Sequence, residues 1–180
     1  MNAIAKIEDA HLSRQPFDRA HDSVNAWRGK CLHAFTCAEA AVTETLLVLS
    51  EVPEKGNDVK LPHLVGQRFE ALETALSPDA AIFTKGSNIA EALADFRIHE
   101  PLRVMLCHGV GKVTVDRKGK WTFVVRTLAL RSKKPSRNVR VIEEDEACEI
   151  AKNLARSSQK LCDELRNLRK KFPGGAPGRD

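Results

Sequence analysis

From Ser23 to about Glu51, apolar side chains return every three or four residues: Val24, Trp27, Cys31, Phe35, Ala38, Val42, Leu46 and Leu49. That spacing is one face of a long amphipathic helix, and a stripe of this length needs partners to bury it. Asp22 or Ser23 is the expected cap. Val52-Pro53 is the expected end, because a proline disfavours helix in the residue before it. A second stripe runs through Leu64, Val65, Phe69, Leu72 and Leu76 behind Pro62, which suits a first helical turn, and Ser77-Pro78 closes it. A third helix is expected from Ser87 through Ile89, Leu93, Phe96 and Ile98. Pro101 then forces a kink or a fresh start before Leu102–His108, and Gly109 reads as the usual C-terminal stop. A last long helix, about Glu144 to Lys171, carries Ile150, Leu154, Leu161, Leu165 and Leu168 on one side. Acids crowd its start and bases its end, as the helix dipole favours.

Between the third and last helices the period changes from 3.6 to 2. Lys112–Asp116 and Trp121–Arg126 alternate around Arg117-Lys118-Gly119-Lys120, which is a β-hairpin signal. Arg131–Asn138 reads as a basic polar loop, and Val139-Arg140-Val141 as a possible short third strand. The expected fold class is mainly α: an antiparallel four- to five-helix bundle with a small β-hairpin inserted before the C-terminal helix. The expected division is a flexible N-terminal arm over 1–22, a helical domain over 23–171 with its hairpin at about 112–128, and a disordered tail over 172–180. A chain of 180 residues suits one such domain.

Charge is unevenly placed. Residues 97–140 hold 12 Lys or Arg and only 2 Asp or Glu, whereas residues 1–90 hold 9 against 12. A local field of that sign favours a polyanion, and nucleic acid is the commonest in a cell. The longest apolar run, Ala40–Ser50, is broken by Thr43, Glu44 and Thr45, so no membrane span is expected. The N-terminal stretch has neither an apolar core nor a cleavage site of a secretory signal. Five cysteines, an odd number with no CxxC pair, read as reduced, buried structural thiols in a cytoplasmic setting. Cys31, His33, Cys37, Cys107 and His108 match no standard zinc spacing, so neither metal nor other cofactor is expected.

The segment that goes beyond a basic helical domain is Leu102-Arg103-Val104-Met105-Leu106-Cys107-His108-Gly109. An arginine and a histidine separated by four residues at the end of a helix resemble the Arg-x(4–6)-His signature of the HEPN family of nucleotide-binding helical domains. The resemblance implies a bundle of four or five helices, a homodimer with the motifs of both chains at one cleft, and metal-independent cleavage of RNA. Arg103 and His108 would be the catalytic residues. In that chemistry the substrate's 2′-hydroxyl attacks the adjacent phosphorus and expels the 5′-oxygen. Histidine, titrating near ~6.5, can take up and release protons around neutrality. Arginine's planar fork suits the non-bridging oxygens. Positions five apart on a helix diverge by roughly 140°, so the pair shares no face within one chain unless the helix unwinds. Family members usually place a polar residue after the arginine; this chain has Val104. One HEPN subclass is regulated by modification of a tyrosine near the motif, and this chain has no tyrosine.

Each candidate also has a plainer role. His108 can cap its helix's last carbonyls, and Arg103 can pair with Glu100. Glu39 or Glu44 could orient the motif or simply be exposed, and His33 reads as a core histidine. Lys112, Arg117, Lys118, Lys120, Arg126 and Arg131, with Lys133, Lys134, Arg137 and Arg140, can track an RNA backbone or form a solvated rim. Trp121 and Phe123 can stack on bases but are better placed to pack inside. The leading expectation is a HEPN-type metal-independent endoribonuclease in a toxin–antitoxin or phage-defence setting, with RNA, a second copy and a cognate antitoxin or regulatory protein as partners. The alternatives are a non-catalytic RNA- or partner-binding module and a plain helical dimerisation protein.

Overall fold

A computed structural model of the chain describes residues 15–80, 88–131 and 134–172. Among them are five α-helices and three strands: α1 Pro16–Ser50, α2 Val65–Ala75, α3 Ile89–Arg97, α4 Glu100–His108, β1 Val110–Val115, β2 Trp121–Arg131, β3 Lys134–Glu143 and α5 Glu144–Arg169, with a short 3-10 turn at Gly56–Asp58. The protein is mainly helical with a small three-stranded antiparallel sheet of order β1-β2-β3. The chain forms two compact units, one from residues up to Leu32 with Pro101–Lys152, the other from His33–Glu100 with the residues from Asn153 on.

In the first unit the sheet's inner face carries Val113, Trp121, Phe123, Val125 and Ile142, all buried. Trp27 of α1 closes against it, its ring 6.1 Å from that of Trp121 and 6.0 Å, edge-on, from that of Phe123. The Trp27 indole N–H donates to the Ala147 carbonyl of α5 at 2.8 Å, so the amphipathic ring is buried with its one polar group satisfied. The β1–β2 turn is held by Asp116, whose Oδ1 accepts from the amides of Lys118 and Lys120. Gly119 there has φ +83°, a left-handed conformation that glycine alone adopts freely.

In the second unit Phe96 of α3 stands between two rings, edge-on to Phe35 at 5.8 Å and stacked on Phe69 at 5.7 Å. Leu46, Leu49, Leu72, Leu93, Leu154, Leu161 and Leu165 complete that core. Arg169 donates to the Ala41 carbonyl and to Thr45 Oγ1, and pairs with Glu44 at 3.2 Å. His99, half-buried after α3, has its imidazole pKa lowered by burial. The unfolded chain protonates such a group near ~6.5, the folded chain only below that, so this contribution to stability is whole above the unfolded value and is lost as pH falls through the lower folded one. Melting temperature should therefore fall from about pH 7 to about pH 5, and His99→Gln should flatten that fall. An unchanged pH profile in the variant would remove His99 from the acid response.

Several expectations are corrected. The hairpin of about 112–128 is a three-stranded sheet spanning Val110–Glu143, because β2 continues to Arg131 and β3 begins at Lys134 within the expected loop. Pro135, which cannot donate to a ladder, is tolerated because β3 is an edge strand. Helix already begins within the stretch expected as an arm over 1–22: α1 starts at Pro16, a favoured first-turn residue, so Asp22 and Ser23 lie inside the helix. Residues 1–14, Ser87 and 173–180 lie outside the described residues, and with them most of the arm and the tail. The second helix starts at Val65 rather than Pro62. Pro101 gives a fresh start, with α4 separate from α3.

Cysteines differ most from expectation. All five are free, but only Cys31 is buried, which pushes its thiol pKa up to about 11; Cys37, Cys107 and Cys148 are exposed. His33 is likewise exposed on α1, with Nε2 3.6 Å from Cys37 Sγ. The reason is register: Cys37 and His33 sit off the stripe that Cys31 and Phe35 define. α1 is the one described helix long and apolar enough to cross a membrane, with a window of mean hydropathy 1.3, and half of that window is buried inside the protein.

Candidate nucleic-acid groove

α4 ends at His108 and the chain enters β1 after a single residue, so the histidine stands at the junction of helix and sheet. The junction is tight. A Cβ on Gly109 would run into the Met105 carbonyl oxygen and a Val125 methyl, and one on Gly111 would enter the Phe123 ring. Gly109 has no positive φ, so its expected role as a left-handed helix stop is replaced by a steric one.

The side chain of His108 is exposed and, among the described residues, no hydrogen bond or ion pair holds it. It lines an open groove of about 510 Å³ with Val110, Arg126, Thr127, Leu128, Arg137, Asn138 and Val139. The sheet register explains the company. Val110, Arg126 and Val139 are cross-strand partners, as are Leu128 and Arg137, and both rows lie on the face opposite Phe123 and Val125. A histidine and two arginines thus line one hollow, together with aliphatic side chains.

That outer face is unusual for a sheet. Val110, Leu128, Val139 and Val141 are 79%, 66%, 61% and 53% exposed. A contiguous exposed apolar patch on a soluble protein marks a binding surface more often than chance scatter does. Lys112 shares the face in the next row, between no acidic neighbours on its own strand.

The sequence-named cations divide clearly. Arg126 enters the groove. Arg117 and Lys118 are exposed in the β1–β2 turn, away from the groove's lining. Lys120 pairs with Asp145 at 2.6 Å, which raises its pKa, and Arg140 pairs with Glu146 at 3.0 Å. These two are therefore partly neutralised. Arg131 ends β2 opposite Lys134, and its side chain lies outside the described residues, as does Lys133.

Arg103 is partly buried on α4 and is not among the side chains lining the groove. Glu100, on the same helix, pairs with Arg97 Nε at 2.8 Å. Glu44 is held by Arg169. Trp121 and Phe123 are buried in the sheet's inner face and unavailable to bases. Thr127 and Asn138 were beyond sequence reasoning; only the β2–β3 register places them beside the histidine.

Among the described residues no three His, Cys, Asp or Glu side chains stand together as a metal site. Compared with protein-family models, with curated proteins and with solved structures, the chain matches none.

Proposed function

We propose that the chain is a HEPN-like, metal-independent endoribonuclease domain whose active groove is centred on His108. The observation that carries the reading is the convergence of His108, Arg126 and Arg137 on one open hollow. The bundle arrangement, the homodimer, a cytoplasmic location and a cognate regulatory partner that the resemblance implies belong to the same proposal.

In the proposed step His108 accepts the proton of a ribose 2′-hydroxyl as that oxygen bonds to phosphorus. The P–O5′ bond breaks, and the proton passes to the leaving 5′-oxygen, giving a 2′,3′-cyclic phosphate and a 5′-hydroxyl end. Arg126 and Arg137 hold the non-bridging oxygens while charge builds on them. Within one chain they take the place that the motif gives to Arg103; Arg103 would act only across a dimer. DNA lacks the attacking hydroxyl and would not be cut.

The test is incubation of the full chain with single-stranded and structured RNA in EDTA, beside binding titrations across salt concentration. Substituting both Arg126→Gln and Arg137→Gln should reduce the dependence of log affinity on log salt by about 0.7 per lost phosphate contact on a single strand. No cleavage in EDTA and no RNA bound at low ionic strength would overturn the reading. A second reading, a non-catalytic RNA- or partner-binding module, is favoured by the exposed aliphatic outer face and by exposed Val104 beside Arg103. Salt-sensitive, saturable binding without cleavage would select it.

A further inference from the structure

The end of α4 leaves its last carbonyls without intrahelical donors, as every helix end does. Met105 O is satisfied by the Gly109 amide at 2.8 Å. Leu106 O is the first carbonyl the helix cannot satisfy, because its i+4 donor would be Val110, which already belongs to β1. That carbonyl instead accepts from Arg28 Nη2 of α1 at 3.0 Å, across 78 residues of sequence.

The Arg28 guanidinium is fixed from a second side. Its carbon lies 5.6 Å from the centroid of the Phe123 ring, within cation–π range. The same ring fills the space beside Gly111, on the strand that follows His108. Arg28 therefore touches both sides of the helix–strand junction that carries the histidine: Leu106 before it and, through Phe123, Gly111 after it.

One further feature singles the residue out. Arg28 Nε is buried and has no hydrogen-bond partner. Buried donors are almost always paired, so an arginine that leaves one unmet has been placed by something other than its own satisfaction. Here that something is the Leu106 carbonyl and the Phe123 face. A cation at a helix C-terminus is also favoured by the dipole.

We infer that Arg28 is a positioning residue that fixes the direction in which His108 enters the groove. The inference rests on the reading of His108 as the acid/base. Arg28 touches no substrate; it acts through the Leu106 carbonyl.

The test uses the full chain with Arg28→Met, which keeps the apolar stem and removes charge and donors, and Arg28→Lys, which keeps charge and one donor. Three readouts are taken: cleavage kinetics on an RNA oligonucleotide in EDTA, RNA affinity in a His108→Ala background, and NMR signals of the His108 ring and the Leu106–Gly111 amides. Arg28→Met should lower kcat by about ten- to a hundredfold with KM and RNA affinity within about twofold, as expected for a misplaced catalytic group. Arg28→Lys should restore part of kcat, and the His108 ring signals should shift or broaden in the methionine variant only. A kcat within about twofold of the parent together with unmoved His108 signals would overturn the inference. If Arg28→Met does not fold, Arg28→Lys is read alone: reduced kcat at unchanged melting temperature supports the inference, and unchanged kcat with unmoved signals overturns it. If the parent chain cuts no RNA, the reading of His108 fails by itself. The NMR comparison then still decides whether Arg28 holds the histidine.

Discussion

His108→Ala is expected to lower RNA cleavage in EDTA by about 10²–10⁴-fold, the range that a general acid/base contributes. The side chain is exposed and, among the described residues, unheld, so its removal should change stability by no more than about 0.5 kcal/mol. It should also leave RNA affinity nearly unchanged, since Arg126 and Arg137 remain on the groove. A loss of rate without loss of binding or fold is the signature of a group acting only in the transition state. The assay compares initial cleavage rates, melting curves and RNA titrations for parent and variant. Cleavage that survives the substitution unchanged would take His108 out of the mechanism and leave the groove as a binding surface.

How far the sequence carried the fold depended on where each element's apolar residues point. Every member of the α1 stripe, from Val24 to Leu49, is buried, so a 3.6-residue period was enough to find that helix. Its start was missed because residues 16–22 have little stripe to read: Ala20 is buried but Phe17 is exposed. β3 was legible only as a possible short strand at Val139–Val141, and its extent from Lys134 was missed for the opposite reason. Its valines, Val139 and Val141, face outward, while Arg140 shares the inner row of Val125 and reaches out to Glu146. An inverted pattern with a proline and three basic residues reads as loop, because composition normally reports burial and here it does not.

The groove shows the same division. His108 was legible as one partner of a short motif. Its companions were not, because Arg126 and Arg137 come to it through strand register, and a one-residue slip would place both on the buried face. The helical position of Arg103 could be read from sequence, and so could its divergence from His108. That two arginines of the sheet line the groove beside His108 could not. Arg28 was invisible for a related reason: its task is set by a carbonyl left open where a helix meets a strand.

Gly109→Ala is expected to be the most damaging small substitution near the groove. A Cβ there would overlap the Met105 carbonyl oxygen, a backbone atom, and a methyl of Val125, which is fully buried. Neither neighbour can swing aside as a flexible side chain would, so α4 must move away from β2. Overpacking of this kind costs about 1–3 kcal/mol. At about 2–4 °C per kcal/mol for a chain of this size, the melting temperature should drop by several degrees. The displaced helix end carries His108, so cleavage should fall further than stability does, by up to about a hundredfold for a shift near 1 Å. Gly119→Ala is the matched control. It meets no atom within 4 Å but sits at φ +83°, so it should cost conformational strain alone and leave cleavage intact. Equal losses of rate in the two variants would mean that lowered stability, not the seat of His108, explains the effect. An unchanged melting temperature in Gly109→Ala would mean that the α4–β2 approach is looser than the geometry of Met105 and Val125 requires.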